Sequence, residues 1–249
     1  MKTLTLVSVT AAAIVAGTGI ASADIIGDAI TIRAINANDA SDWAQWSFNG
    51  QELITEGGDL SYNTDGSVNL IGGVSGEVLA TIEGAGVNYI ADPVINLNFD
   101  VLGGAGNSII EVESGELTFG TINNAVASAS AAFSVTDNVF PPGGPGATIT
   151  PTSGAAFLAN TDGLAPSGEN FASLFASTIS FSGGTQAFSE NAAAAVIAGD
   201  TSSMSSRFQF TLSALDFVSA TSTFTVTPAP SGVALLAFGS MVAGTRRRR

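Results

Sequence analysis

Five segments of the chain alternate apolar and polar residues with a period of two: 29–33, 94–101, 116–122, 207–212 and 221–226. In the second of them Ile95, Leu97, Phe99 and Val101 share one face, and Asn96, Asn98 and Asp100 share the other. Successive side chains of a strand point to opposite faces, so each segment predicts a strand with one buried and one wet face. Turn pairs punctuate them: Asn49-Gly50, Gly57-Gly58, Asp65-Gly66, Gly72-Gly73, Gly103-Gly104 and Gly183-Gly184. Many short strands between glycine turns, with few long stretches of helical period, predict an all-β, jelly-roll-like β-sandwich. Residues 191–199, with four consecutive alanines, fit either a short helix or a small-residue strand. The run from Pro141 to Gly146 (PPGGPG) is the strongest break, because proline restricts φ where glycine frees it. It reads as a long loop inside one domain at 24–227, with 152–170 also loop-like and the later strands completing the sandwich.

The two ends do not follow this pattern. Lys2, an uncharged run over 4–20 and the small-x-small triplet Ala21-Ser22-Ala23 followed by Asp24 predict a cleavable signal peptide at 1–23. At the other end, Pro228, Ala229, Pro230 and Ser231 form a segment that cannot continue a strand ladder. An uncharged run over 232–244 follows, and Arg246, Arg247, Arg248 and Arg249 close the chain. As a helix that run spans about 20 Å at about 1.5 Å per residue, short against a bilayer core of about 30 Å. Terminal arginines favour a cytoplasmic end, which puts the middle of the chain outside the inner membrane.

A Pro-x-Pro motif, a short apolar stretch and a terminal arginine cluster, in that order at 228–249, resemble the PEP-CTERM sorting signal in its Pro-Ala-Pro form. Ala229 stands where the motif usually has glutamate. The resemblance implies processing by an exosortase after signal peptidase has acted, with transient insertion of the tail in the inner membrane. It further implies release to the cell surface or the extracellular polymer matrix, and association with exopolysaccharide. A plain tail anchor would share the apolar run and the arginines.

Charge sharpens the reading of the middle. All 21 carboxylates lie between Asp24 and Asp216, where the only bases are Arg33 and Arg207. Such a surface repels phosphate backbones, which argues against nucleic acid as a partner. The chain has no cysteine and no histidine, which removes thiolate chemistry, the commonest general base and the commonest transition-metal ligand. With no internal lysine either, none of the serines has an ordinary activating partner. The expected role is a non-catalytic one, without a resident cofactor.

Three groups remain as candidates. Trp43 and Trp46 would fall on opposite faces of a strand, one in the core and one exposed, and an exposed indole stacks on sugar rings. That makes a carbohydrate-binding module the alternative reading. Asp59, Asn63 and Asp65 offer oxygens of the kind Ca2+ takes, although an Asx turn uses the same residues. Glu111, Glu113 and Glu116 form the densest acidic group. On one strand Glu111 and Glu113 share a face about 7 Å apart, a separation compatible with a glycan hydrolase or lyase, but alternate charges on a strand ordinarily mark its solvent face.

Overall fold

The computed structural model describes residues 23–55, 59–138 and 146–229. Ala21, Pro230, Ser231, the arginines 246–249 and the expected C-terminal helix lie outside them, as does most of the 141–146 loop. In the described residues the strands are β1 (Asp24–Asn36), β2 (Asp39–Phe48), β3 (Leu60–Asn63), β4 (Val68–Ile71), β5 (Val78–Ile90), β6 (Val94–Gly103), β7 (Ser108–Asn123) and β8 (Val126–Asp137). They continue as β9 (Ala147–Pro151), β10 (Phe157–Thr161), β11 (Glu169–Leu174), β12 (Ile179–Phe181), β13 (Gly184–Val196), β14 (Asp200–Leu212) and β15 (Phe217–Thr227).

These strands form two antiparallel sheets packed as a sandwich. The larger runs β11-β10-β14-β7-β1-β2, with β9 also on β14 and β12 on β9. The smaller runs β13-β8-β15-β6-β5-β3, with β4 also on β5. Hairpins stay within one sheet in the first half of the chain. From β7 onward the chain crosses repeatedly between sheets, as in a jelly roll, and this puts β14 beside β7 and β15 beside β8.

All five alternating segments lie in strands: β1, β6, β7, β14 and β15. Residues 191–196 belong to a strand rather than a helix. One expectation is corrected: 152–170 is not simply a loop, because it contains β10. That strand is short and buried at nearly every position between β11 and β14, so it shows no polar alternation.

The core is held from both sides by phenylalanines. Phe99 of β6 and Phe133 of β8 meet Phe208 and Phe210 of β14 across the sandwich. Phe99–Phe208, Phe133–Phe208 and Phe133–Phe210 are edge-to-face at 5.1, 5.4 and 5.3 Å between centroids. Phe157 joins Phe208 at 4.8 Å. Edge-to-face packing sets the positive rim of one ring against the negative face of another, a gain beyond the area buried. At the other end of the sandwich, buried Tyr89 of β5 donates its hydroxyl hydrogen to the Ala29 carbonyl of β1 at 2.6 Å. Burial raises its phenol pKa far above the ordinary tyrosine value.

Buried Asp42 of β2 fastens the 72–75 turn. Its Oδ1 accepts from the Val74 and Ser75 amides at 3.0 and 3.1 Å. Hydrogen bonding, led by the Ser75 side chain, holds its carboxyl at about 2 against an ordinary 3.8, and outweighs the opposing effect of burial. A depressed carboxylate stabilises the fold fully above its unfolded pKa and loses that contribution as pH falls through the folded one. Thermal unfolding followed from pH 5 to pH 2 should therefore show a steep loss below about pH 4. Asp42→Asn, less stable at neutral pH, should show a shallower acid slope. An unchanged slope would mean that other carboxylates carry the acid sensitivity.

Candidate functional site

The outer face of the larger sheet carries the most organised chemistry among the described residues. Antiparallel registry sets Gln45 of β2, Arg33 of β1, Glu111 of β7 and Gln209 of β14 in one row across four strands. Ser47, Thr31, Glu113 and Arg207 form the next row. With strands about 4.8 Å apart, each row is about 14 Å long. Thr31, Arg33, Gln45, Glu111, Glu113 and Arg207 line a shallow depression of about 210 Å³.

The two internal arginines of the acidic middle both stand here. Glu111 accepts from Arg207 Nη2 at 3.1 Å and from Gln209 Nε2 at 2.8 Å, and lies 3.6 Å from Arg33 Nη1. Arg207 Nε is 2.9 Å from Glu113 Oε1, although its N–H is not aimed at that oxygen, so the attraction is Coulombic rather than directional. Charges alternate along the chain of contacts Arg33, Glu111, Arg207, Glu113 and cancel. The side chains of Arg207 and Glu111 are only 11% and 12% exposed. Burial pushes the Glu113 carboxyl above its ordinary value. Arg207 opposes that rise, the Glu111 charge adds to it, and Arg33 opposes it more weakly.

Glu116 reaches the same face by a change of parity. Ser114 and Gly115 are both buried, which marks an irregularity where β7 has one residue more than β14 between paired positions. A Cβ on Gly115 would come within 2.7 Å of the Asp28 carbonyl and of Ile25, so glycine is what lets β1 approach here. Glu116 then accepts from Ser203 Oγ at 2.5 Å, apart from the arginine cluster.

Trp43 and Trp46 lie on opposite faces of β2. Trp43 is 45% exposed on the outer face, with the Arg33 guanidinium carbon 4.6 Å from its ring centroid. Trp46 is half-buried against the core, with Tyr62 stacked at 6.3 Å. Asp59, Asn63 and Asp65 are not gathered on a common point. Asp59 Oδ1 accepts from the Ala91 amide at 2.8 Å, the Asn63 side chain lies over Gly86, and Asp65 is exposed beyond β3. Among the described residues no three histidine, cysteine, aspartate or glutamate side chains are grouped to hold a metal ion. Of the processing positions, Asp24 opens β1 after buried Ala23, and Pro228 and Ala229 follow the end of β15.

Arg33, Arg207, Gln45 and Gln209 were not candidates on sequence grounds. The signal available was the rarity of base: two arginines in the acidic middle, each within an alternating segment.

No family model matches the chain, and no curated protein matches it. Among solved structures, a chain from the structure of infectious bursal disease virus Gt strain is 10% identical with a TM-score of 0.24. That match covers 84% of this chain and 57% of the viral one. So low a score bears on neither fold nor function.

The Glu111–Arg207 pair can be tested by a double-mutant cycle. Glu111→Ala should cost roughly 2 kcal/mol in urea unfolding, since it leaves a mostly buried arginine with Glu113 as its remaining carboxylate and takes away the acceptor of Gln209. Adding Arg207→Ala should recover part of that loss. Strict additivity of the two changes would show the pair to be uncoupled.

Proposed function

We propose that the chain is an exported, non-catalytic surface or matrix protein that holds a neutral polysaccharide against the outer face of its larger sheet. One observation carries the binding part of this reading. The exposed Trp43 ring stands beside a fixed row of planar polar groups, Gln45, Arg33, Glu111 and Gln209, the first three of which line a shallow open depression. An aromatic face suits the apolar face of a pyranose, while amide and guanidinium groups suit its hydroxyls. The four charges of the cluster cancel, and the rest of the chain is strongly acidic, so an uncharged glycan fits better than an anionic one.

Support for a non-catalytic role comes from the state of the carboxylates. Glu111 is engaged by two donors and faced by a second arginine, which leaves it poorly suited to give or take a proton. Export, sorting by an exosortase and surface or matrix residence rest on the sequence at the two ends, which the described residues do not include apart from Ala23, Asp24, Pro228 and Ala229.

Two measurements test the reading. Affinity electrophoresis in gels containing the producing cell's own exopolysaccharide should retard the protein. Trp43→Ala and Gln209→Ala should each weaken that retardation roughly tenfold, as for a residue central to an interface, while Trp46→Phe should not. Absence of binding to any matrix glycan, or turnover of one, would overturn the proposal. Separately, the intact mass of the surface-recovered protein should correspond to a start at Asp24 and loss of the chain beyond Ser231. A retained Arg246–Arg249 end would leave a membrane anchor in place of sorting.

A further inference from the structure

The strand β13 is paired with β8 on one side only, and among the described residues no strand pairs with its other side. It is thirteen residues long and exposed at every position except Phe188 and Ala192. A free strand edge presents a row of unpaired N–H and C=O groups, and proteins ordinarily blunt such edges with lysine, proline, charge or a covering segment. β13 has no lysine and no proline, and its one charge is Glu190. That carboxylate turns toward the other sheet, where it accepts from the Phe175 amide at 2.6 Å.

The contrast with the opposite side of the molecule is instructive. There β2 ends the larger sheet, but the turn held by Asp42 lies along it, and the Gly73 amide donates to the Trp43 carbonyl. That edge is partly occupied by the chain itself.

Charge narrows what can approach β13. Two copies of a chain this acidic repel each other over most of their surface. The strands β13, β8 and β15 nevertheless carry only Glu190 and Asp137 between them. Like charges brought together across an interface are costly, so a second copy would be tolerated best at this charge-poor end.

The strand is also complementary to itself. Residues 184–192 pair with β8 without a register shift and so form a regular extended edge. Turned about a two-fold axis at Phe188, that stretch meets its own copy antiparallel. Gln186 then stands opposite Glu190 of the second copy, Thr185 opposite its Asn191, and Ala187 opposite its Ser189. Each glutamate faces an amide donor rather than another glutamate, and each position occurs twice by symmetry.

We propose that β13 is a self-association edge, at which two copies of this chain join their smaller sheets into one continuous sheet centred on Phe188. The contact consists of backbone hydrogen bonds with specificity from alternate side chains, the general mode of strand addition. It is independent of the glycan-binding face, which lies on the other sheet.

Sedimentation velocity on the protein as recovered from its producing cells should show a concentration-dependent monomer–dimer equilibrium. Gln186 is exposed, so its variants should keep the native far-ultraviolet circular dichroism. Gln186→Glu puts two glutamate pairs in register and should weaken the dimer roughly fivefold. Gln186→Lys should tighten it by a similar factor at low salt, and that gain should fade as salt is added. Because the chain has no cysteine of its own, the double variant Ala187→Cys with Ser189→Cys gives an independent readout. Mild oxidation should yield a covalent dimer, since directly opposed residues of paired strands lie within disulfide reach. A monomer at every concentration, or a dimer indifferent to both Gln186 variants and not cross-linked by the cysteines, would overturn the proposal.

Discussion

The two sheets of this molecule share no disulfide, because the chain has no cysteine, and their relation depends above all on the phenylalanines that meet in the middle. Phe208 touches rings from both sheets: Phe99 and Phe133 across the sandwich, and Phe157 beside it. Such rings interlock in a few relative orientations only, and close packing makes other offsets of one sheet against the other costly. The strands that supply them, β6, β8 and β14, are central in their sheets or next to central strands. The position of every outward residue on β14, Arg207 and Gln209 included, follows from the inward seating of Phe208 and Phe210.

That dependence links the core to the candidate site. On β14 the inward residues Phe208 and Phe210 alternate with the outward Arg207 and Gln209, so a slip by one residue would exchange the core face for the outer one. The irregularity at Ser114 and Gly115 on β7 does locally what such a slip would do globally. It places Glu116 on the outer face although its parity differs from that of Glu111 and Glu113. The resulting face carries Glu111 and Glu113 tied to the arginines and Glu116 tied to a serine, three neighbours in sequence with different partners.

Strands with one wet face were readable from their alternation, as 94–101 and 207–212 illustrate. Strands without that contrast were not. β10 is buried at nearly every position, and the 191–196 part of β13 is an alanine-rich stretch with little contrast between its faces. The opposite facing of Trp43 and Trp46 followed from a spacing of three residues. The arrangement around Glu111 did not, because Arg33 and Arg207 reach it from 78 positions before and 96 after. Only the strand order β14-β7-β1 brings those distant positions together, and a single chain without comparison sequences contains no local sign of that order.

The confinement of basic residues to this cluster also bears on durability. Proteases of trypsin-like specificity cut after lysine or arginine and need several residues around the bond as a free extended chain. From Asp24 to Asp216 only Arg33 and Arg207 meet the first requirement, and each lies mid-strand with a hydrogen-bonded neighbour on both sides. Cleavage there must wait for β1 or β14 to leave the sheet, which would dismantle the core. Against that class of enzyme, the lifetime of the folded sandwich is therefore governed by how often it opens, and the same two arginines that anchor the outer face are its only points of attack in that region.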